Sequence, residues 1–482
     1  MKRRELIKSM AAATFASGAT GLVLPSWARA ECLPVAVPDM DRTVVNFMLN
    51  GGADVRFLFM PAPGTLAAAH EALIYSSRKN MFAYGRANPG ATYGDFFAAN
   101  YTIPINDSSI GIHNRAGWLL SEFEAGRVAV VANAVCSKNR RHDQSILNAN
   151  AGTPEYNELV YDVSGWGGRL VEQVGPTANA VELGGSITVY SQGSTQGSRL
   201  EQAIHAANTR DIALPSDVSG TGRREVVTRA LKSYYEARKP EVAGNPADWP
   251  FHTFFKHNAD FRDFGDAMAD CMATRGSLPP TLLHPNSGGT FDLFSGSLEQ
   301  QCRNLYDVCL APDVLGSRTV SMSYGGWDTH GNQEPRAGNN WQDIFGTDKG
   351  MDRVMSEISS IPSNAYDNLV FYFASDFGRQ LVTNGDLGTD HGRGIYSILI
   401  GSDINGGTYG TMFPPEEAVD NGSYVPLERH GADITGKTST ERIIAEISEW
   451  ALPAGGGTAD AVVPNWSSSD IESPGLLNSL FV

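Results

Sequence analysis

The body of this chain lacks a stripe of clustered lysine and arginine residues, and the complete sequence has a formal net charge of −16. Proteins that bind nucleic acids need a basic surface, so this charge balance excludes that class of function. The sequence also lacks the Gly-x-Ser-x-Gly elbow that presents the nucleophile of many serine hydrolases. Because an acidic surface does not attract anions, an anionic substrate would need a metal ion or an arginine inside the site.

Cysteine is scarce, and its five positions are Cys32, Cys136, Cys271, Cys302 and Cys309. They form neither a Cys-x-x-Cys pair nor the spacing of a zinc finger, which excludes a cysteine-rich zinc module. In an oxidising compartment Cys302 and Cys309 could form a disulfide. The odd number then leaves at least one thiol that is free or pairs outside the chain.

After residue 30 no stretch is long and apolar enough for a stable membrane span. The N-terminus is different: Lys2-Arg3-Arg4 precedes a mildly apolar run from Met10 to Leu24 and the small-residue site Ala28-Arg29-Ala30. This order is typical of a twin-arginine export signal, the alternative being a chance basic start to an ordinary helix. We therefore predict a signal peptide at residues 1–30, the twin-arginine export machinery as a partner, and a periplasmic or secreted mature protein.

The mature chain, residues 31–482, reads as one α/β domain. Its strongest apolar runs are typical of strands buried on both faces, and they lie at 42–49, 127–133, 318–323 and 369–374. Helical patterns at 116–125 and 348–361 favour alternation of strands and helices around a mostly parallel sheet. The region from about 175 to about 315 carries weaker signals, and we interpret it as an insertion or cap.

Acidic and histidine side chains follow these strands, at the points where the strands end or in loops bounded by glycine. They are Asp54, Asp328, His330, Asp376, Asp390 and His391. Ligands of α/β sheets gather at the carboxyl ends of the strands, so we expect these side chains to converge there. A divalent cation would offset the repulsion among the carboxylates; imidazole favours zinc, and oxygen ligands favour calcium, magnesium or manganese. For Asp54, which follows two glycines, capping of a turn is the alternative.

A nucleophile for ester hydrolysis belongs at the end of the strand at 127–133. Ser137 is the first candidate there and Cys136 the second, because a metal contact can lower the pKa of either group. Arg140 and His142 follow closely and could bind the anionic part of a small ester substrate, since a guanidinium matches the geometry of phosphate and sulfate. The alternative is an exposed loop whose charges are solvated.

Several motifs occur together and in order: the arginine pair of the export signal, Gly51-Gly52-Ala53-Asp54, Gly326-Trp327-Asp328-Thr329-His330, Ser375-Asp376-Phe377-Gly378-Arg379 and Thr389-Asp390-His391-Gly392-Arg393-Gly394. In these motifs the chain resembles an exported bacterial family known as domain of unknown function 1501. That family is itself similar to the alkaline phosphatase and sulfatase superfamily. The resemblance covers essentially the whole mature chain.

The resemblance implies an alkaline-phosphatase-like three-layer sandwich, with a central mostly parallel sheet, and one or two divalent cations beside a nucleophile. It places Asp54 as a metal ligand on the first strand, and Ser137 or Cys136 as the nucleophile. Asp328 with His330, Asp376 and His391 resemble the remaining metal ligands. The chain departs from the superfamily pattern where Phe377 replaces a ligand histidine and where Asp328 and His330 are two residues apart rather than four.

Two functions follow from these expectations. The first is an exported metal-dependent hydrolase of phosphate or sulfate esters, in which metal and arginine stabilise the transition state. The second is a hydrolase fold that has become a catalytically inactive binding or assembly protein of the cell envelope.

Overall fold

A computed structural model describes residues 37–156, 158–160, 163–175, 178–184, 188–194, 203–211, 267–413, 438–464, 466–468 and 480–482, together with a few isolated positions between 226 and 265 and the residue pairs 419–420 and 423–424. The predicted signal peptide, residues 1–30, lies outside these described residues, as does most of the middle of the predicted insertion. No helix in the described part of the chain is long and apolar enough to cross a membrane.

The strands, numbered in chain order, are β1 (Thr43–Leu49), β2 (Phe59–Pro61), β3 (Tyr101–Thr102), β4 (Ile110–His113), β5 (Val128–Val135), β6 (Asn179–Glu182), β7 (Ala203–His205), β8 (Ser317–Tyr324), β9 (Leu369–Ser375), β10 (Gly378–Thr383), β11 (Thr389–Gly392), β12 (Ile395–Ile400), β13 (Gly407–Tyr409), β14 (Val419–Asp420), β15 (Ser423–Tyr424) and β16 (Thr438–Ser439). Nine of them form a mixed sheet in the order β13-β5-β12-β9-β1-β8-β6-β7, with β16 also paired to β5. Strand β12 runs antiparallel to both β5 and β9, whereas the other pairs of this sheet are parallel.

The helices are α1 (Val55–Leu58), α2 (Ala68–Arg78), α3 (Ala83–Ala87), α4 (Tyr93–Asn100), α5 (Gly117–Glu124), α6 (His142–Ala151), α7 (Trp166–Val174), α8 (Gly296–Leu310), α9 (Pro312–Leu315), α10 (Gln333–Phe345), α11 (Gly350–Ser359), α12 (Thr440–Ala451) and α13 (Ala459–Val462). Residues 267–275 are also helical. Single 3₁₀ turns lie at Lys79–Met81, Val189–Ser191, Thr209–Asp211, Pro280–Leu282, Pro285–Ser287 and Trp466–Ser468.

Helices cover both faces of the sheet, because each central strand is apolar on both sides. In β1, Val45 and Phe47 belong to one core, which also contains apolar side chains of α5, α8, α10 and α11. Val44 and Met48 point the opposite way, into a second core shared with α7, α12 and α13. Strand β9 alternates in the same manner between the two cores. The predicted α/β class, with a sheet between two helical layers, is therefore confirmed.

Predicted and observed elements agree best where periodicity was strongest: the four apolar runs correspond to β1, β5, β8 and β9, and the two helical patterns to α5 and α11. In the predicted insertion, β6 and β7 extend one side of the main sheet and α8 packs in its core. The proposed Cys302–Cys309 disulfide is wrong. Both thiols are buried and free on α8, and Cys271 carries a disulfide instead.

The parallel strands β1, β5, β8 and β9 end at the same edge of the sheet, which we call the carboxyl edge. A small antiparallel hairpin, β10–β11, follows β9 directly and returns the chain to this edge, with Arg379 opposite His391. The loop after β8 is fixed to the hairpin, since the amides of Asn332 and Gln333 donate to the carbonyls of Asp386 and Leu387. Three loops and a hairpin thus surround the carboxyl edge.

Candidate metal centre at the carboxyl edge

Three histidines and one aspartate converge at the carboxyl edge, and they come from three separate places in the sequence. His142 is the first residue of α6, shortly after β5 ends. Asp328 and His330 lie in the loop after β8, and His391 lies on β11. We call this set the His₃Asp cluster.

Four ligand atoms in the His₃Asp cluster lie close together. Oδ1 of Asp328 is 3.0 Å from Nε2 of His330, 3.2 Å from Nε2 of His391 and 3.7 Å from Nε2 of His142. Nε2 of His330 is 2.9 Å from Nε2 of His391. Ligand atoms bound to one metal at about 2.1 Å lie about 3.0 to 3.4 Å apart at coordination angles of about 90° to 109°. Three of the four distances are close to this range, and the 3.7 Å to His142 lies outside it. The residues whose possible ligand atoms all lie within 4.8 Å of one another are His142, Asp328 and His391, with His330 beside them.

The far nitrogen of each imidazole faces a group that can only accept a hydrogen bond. Nδ1 of His142 lies 2.6 Å from Oδ2 of Asp376, and Nδ1 of His330 lies 2.9 Å from Oδ1 of Asp390. Nδ1 of His391 lies 3.0 Å from the carbonyl oxygen of Arg140. Ionised carboxylates and carbonyls carry no proton to donate, so each Nδ1 must carry the hydrogen. In a neutral ring Nε2 then presents its lone pair to the centre of the cluster.

Lone pairs that converge in this way repel one another unless a cation lies among them. Metal-binding histidines commonly donate their second ring nitrogen to a carboxylate or a carbonyl, which fixes the tautomer and the orientation of the ring. All three histidines of the His₃Asp cluster have such a partner. The residues therefore fit a divalent metal ion, and three imidazoles with one carboxylate suit zinc and similar transition metals better than calcium or magnesium.

Arg379 is the buried positive charge next to the His₃Asp cluster, and it favours the ionised form of Asp328. Its buried guanidinium donates to Oδ1 of Asp328 at 2.6 Å and to the carbonyls of Gly51, Gly52, Trp327 and Thr389. Burial alone raises the pKa of Asp328, but the hydrogen bond and the positive charge of Arg379 are among the causes that outweigh burial and hold that pKa at about 2. Burial, together with the Arg379 charge, lowers the pKa of His391. Asp328 is thus ionised and His391 neutral, as ligands must be.

The cluster is open toward solvent on one side. The side chains of Asp328, His330, His142 and His391 are 51%, 45%, 33% and 24% exposed. Structural zinc sites are closed by four protein ligands and buried, whereas catalytic sites keep a position for water or substrate. The exposure of the His₃Asp cluster is that of an accessible site.

Asp376 lies behind the cluster, where it orients a ligand. Its carboxylate is fully buried: Oδ1 accepts hydrogen bonds from the amides of Gly51 and Gly52 and from Ser375, and Oδ2 pairs with His142. This pairing raises the pKa of His142, and burial of the ring partly opposes the shift. Asp390 takes the same position relative to His330, with its carboxylate also bonded to Asn384.

Asp54 lies deeper and makes no contact with the His₃Asp cluster. Its Oδ1 caps α1 by accepting from the Phe57 amide at 3.2 Å, which is the turn-capping alternative considered for it. Its Oδ2 accepts from Arg78 at 2.5 Å and from Gln333 at 2.6 Å, and the side chain is 1% exposed. With its lone pairs engaged in this way, the carboxylate is bound to protein donors rather than directed at the edge.

The candidate nucleophiles are also engaged elsewhere. Ser137 is buried, and its Oγ accepts from the Asn139 amide at 3.3 Å and from the Asn148 side chain at 3.2 Å. Cys136 donates its thiol to the carbonyls of Ser375 and Asp376, and burial is the main cause that raises its pKa well above the ordinary value. Arg140 is exposed at the rim, with its guanidinium 3.2 Å from the His391 carbonyl.

Local sequence explains how the loops approach so closely. Gly51 has a φ of +120°, and a Cβ atom there would lie 2.7 Å from the amide nitrogen of Asp328, so only glycine fits. Trp327 is fully buried against Trp341, with ring centroids 4.3 Å apart, and this anchor turns the neighbouring Asp328 outward. Phe377, which replaces a ligand histidine of the superfamily pattern, packs against the rings of His142 and His391 instead.

Two residues of this site had no role assigned from the sequence. Arg379 belongs to the motif at residues 375–379, and nothing in that motif indicates that it bonds to four carbonyls, three in loops and one on β11. Gln333 had only its place after the Asp328 loop as a signal. Both act through contacts with residues far away in the chain, which no local pattern reveals.

The chain also contains a P-loop string at residues 431–438, but the elements around it differ from those of a P-loop. Residues 431–438 read Gly-Ala-Asp-Ile-Thr-Gly-Lys-Thr, which matches the phosphate-binding P-loop string. In a P-loop the string follows a strand and opens a helix. Here its last residue, Thr438, begins β16, which pairs with β5, and α12 begins only at Thr440. Residues 431–437 lie outside the described part of the chain.

Comparison with known proteins gives one finding. Residues 313–425 match the model of a family described as "Protein of unknown function (DUF1501)". The matched segment contains Asp328, His330, Asp376, Asp390 and His391, whereas His142 lies before it. No curated protein matches the chain at a significant level.

Proposed function

We propose that this chain is an exported metal-dependent hydrolase of phosphate or sulfate esters. The metal ligands in this proposal are His142, Asp328, His330 and His391. The observation that carries it is the arrangement of the imidazoles: every Nδ1 faces an acceptor, and every Nε2 lies 3.0 to 3.7 Å from Oδ1 of Asp328. A buried arginine below and an open side above complete a site that a small ester could enter.

The residues of the chain would divide the work of hydrolysis. A divalent cation, when bound, supplies Lewis acidity that lowers the pKa of water and polarises the ester. Arg379 holds Asp328 ionised and oriented, and the carboxylates of Asp376 and Asp390 orient His142 and His330. Arg140, exposed beside His391, would pair with the anionic group of the substrate, because guanidinium forks match phosphate and sulfate.

Water is the nucleophile in this proposal. Ser137 and Cys136, the two side chains that the resemblance assigns to that role, are buried and hydrogen-bonded within their own surroundings. Ser137→Ala should therefore retain at least about half of the wild-type turnover, since about twofold corresponds to only about 0.4 kcal/mol of barrier. Loss of turnover in a folded Ser137→Ala protein would restore Ser137 as the nucleophile.

Likeness to the alkaline phosphatase and sulfatase superfamily is part of the proposal. In its support, the α/β sheet carries the acids and histidines at its carboxyl edge, and their order along the chain is the expected one. Where the superfamily pattern has a ligand histidine, this chain has Phe377, which packs against the ring of His142. His142 itself reaches the cluster from the start of α6. We infer a single metal ion rather than two.

The alternative function is a binding or assembly protein of the cell envelope that keeps the metal without hydrolysis. The engaged hydroxyl of Ser137 and the engaged thiol of Cys136 favour it over a phosphatase with a covalent intermediate. Export by the twin-arginine route belongs to both alternatives. Replacing Arg3 and Arg4 by lysine should retain the full-length precursor in the cytoplasm, and unchanged export would exclude that route.

Metal analysis of the folded protein and a substrate screen test the proposal together. The protein would be purified after export, stripped of metal with a chelator and reloaded separately with zinc, manganese, magnesium or calcium. About one zinc per chain with turnover of an aryl phosphate or an aryl sulfate supports the hydrolase. One zinc without turnover of either ester favours the binding protein, and no metal in any form excludes both versions of the site.

A further inference from the structure

A buried chain of hydrogen bonds runs from the interior to the hairpin that carries His391. Asp54 Oδ2 accepts from Nε2 of Gln333 at 2.6 Å, and Oε1 of Gln333 accepts from the hydroxyl of Thr389 at 2.6 Å. Asp54 is 2% exposed, and Gln333 and Thr389 are fully buried. The three residues belong to the start of α1, the start of α10 and the start of β11, so the chain connects three separate elements.

The direction of each bond in this chain is fixed by chemistry. The same Asp54 oxygen lies 2.5 Å from the buried guanidinium of Arg78, which can only donate, so this oxygen acts as an acceptor. Gln333 must therefore turn its amino group toward Asp54, which leaves its carbonyl oxygen as the acceptor for Thr389. Only a side chain with a hydroxyl at position 389 completes the sequence of bonds.

Thr389 is well placed to control the metal site. Its two successors are Asp390, which orients His330, and His391, which is a ligand. Arg379 also donates to the Thr389 carbonyl at 3.0 Å, so the residue is held from its backbone and from its side chain.

We propose that Asp54, Gln333 and Thr389 are positioning residues, which hold β11 so that His391 and Asp390 meet the metal site. This inference rests on the metal centre of the proposed function. It also gives Asp54 a role different from the one its resemblance implies: it acts behind the site through two other side chains and does not touch the metal.

The test compares three substitutions of buried threonines. Thr389→Val keeps the shape and removes the hydroxyl, and Thr389→Ser keeps the hydroxyl. Thr43→Val is the matched control, because Thr43 is equally buried and its hydroxyl lies 2.8 Å from the Ser317 carbonyl. Thr43 begins β1 at the opposite edge of the sheet, about 20 Å away along a strand of this length.

Zinc affinity, measured by competition with a chelator, is the first measurement. We expect Thr389→Val to weaken zinc binding about tenfold, at the lower end of the about 10- to 100-fold cost of losing outer partners of metal ligands. Thr389→Ser should keep zinc affinity within about twofold of wild type, because the serine hydroxyl can still donate to Gln333 and complete the chain of hydrogen bonds. Thr43→Val should leave it unchanged. Equal affinities for Thr389→Val and Thr43→Val would overturn the proposal.

Hydrogen exchange of the metal-free protein is the second measurement, and it does not depend on the metal. Thr389→Val should raise the exchange rate of the amides at residues 389–392 about tenfold relative to Thr43→Val, because local opening of β11 becomes easier. If the wild-type protein binds no zinc, the proposed function fails. Hydrogen exchange alone then tests whether Asp54, Gln333 and Thr389 hold β11 in place. No difference in exchange between the two valine variants would reject that positioning role.

A double-mutant cycle tests whether Gln333 and Thr389 act on zinc affinity through one chain of hydrogen bonds or independently of each other. Gln333→Leu removes the middle of the chain of bonds, so Thr389→Val added to it should change zinc affinity by less than about twofold. If the two substitutions act independently and their effects on zinc affinity multiply, Asp54, Gln333 and Thr389 do not act as one chain of hydrogen bonds.

Discussion

Two groups of side chains in the described structure bring three possible ligand atoms within 4.8 Å of one another, and they differ in the partners of those atoms. One is the set His142, Asp328 and His391 at the carboxyl edge. The other, which we call the second group, is His284, Asp292 and Glu299 near the start of α8. In the second group Nδ1 of His284 accepts from the Asn286 amide, and Glu299 accepts from the Leu293 amide and pairs with Arg303.

The difference teaches that proximity is a weak criterion for a metal site. In the second group Nδ1 of His284 and both oxygens of Glu299 already accept from the protein's own donors, so a cation bound through them would have to displace those bonds. At the carboxyl edge the opposite holds: acceptors occupy the far nitrogens of His142 and His391, and the near nitrogens lie 3.7 and 3.2 Å from Oδ1 of Asp328. The partner of the far nitrogen decides whether a histidine is available as a ligand.

Replacing one histidine from each group gives the largest expected contrast. His391→Ala removes a ligand atom, and we expect the zinc dissociation constant to rise more than about 100-fold, since even outer partners cost about 10- to 100-fold. His284→Ala should leave zinc binding within about twofold of wild type. Titration of both proteins with zinc in competition with a chelator measures this difference. Equal losses would mean that the two groups are alike.

Acidification should sharpen the same contrast, because protons compete for Nε2 only where imidazole is the ligand. Hydrogen bonding to Asp376 raises the pKa of His142 above its ordinary value of 6.5, while burial and Arg379 lower the pKa of His391. Zinc affinity should therefore begin to fall above pH 6.5 and decrease about tenfold per pH unit once His142 holds the displaced proton. Isothermal titration from pH 8 to pH 6 measures it; a pH-independent affinity would exclude imidazole ligands.

The metal-free protein should respond to pH with the opposite sign. A raised pKa in the folded state means that the His142–Asp376 pair contributes stability below the unfolded pKa and loses it as pH rises through the folded value. His142→Ala should abolish this part of the pH dependence between about pH 6 and pH 8. Urea unfolding of the metal-free proteins measures it, and an unchanged pH profile in His142→Ala would assign the dependence to other groups.

The carboxylate that orients His330 offers a smaller effect. Asp390→Asn keeps the size of the side chain but weakens the hydrogen bond to Nδ1 of His330, so we expect about tenfold weaker zinc binding. Asp386→Asn is the matched control on the same hairpin, because Asp386 is exposed and its backbone makes the contacts to Asn332 and Asn384. A loss in the control as large as in Asp390→Asn would assign the effect to hairpin charge instead.

The sequence predicted four of the nine strands of the main sheet and much of the site for an identifiable physical reason. Runs such as 369–374 are apolar on both faces, which few structures other than a central strand allow, and parallel topology then brings their ends together. This argument was enough to gather Asp328, His330 and His391 at one edge, with Asp376 and Asp390 beside them. His142 was singled out near the same edge, but as a partner for the substrate rather than as a ligand.

The remaining parts depend on contacts that sequence cannot supply. Whether Asp54 faces a cation or the protein is decided by Arg78 and Gln333, which are 24 and 279 residues away. Whether the Ser137 hydroxyl is free is decided by Asn148, which lies 11 residues later on α6 and donates to it. Residue type and position after a strand are the same in both outcomes, so only the three-dimensional partners distinguish a ligand from a cap.

The smallest expected effect lies in the second group, where a charge can be removed without touching zinc binding. Glu299→Gln weakens the acceptor for the Leu293 amide and breaks the pair with Arg303, both inside the protein. We expect the free energy of unfolding to fall by about 1 to 2 kcal/mol, as for a hydrogen-bonded charge, and zinc affinity to stay unchanged. Chemical denaturation and zinc titration of the same sample measure the two quantities. If zinc binding weakened with stability unchanged, Glu299 would be a ligand despite its protein partners, and the state of the far nitrogen would no longer separate the two groups.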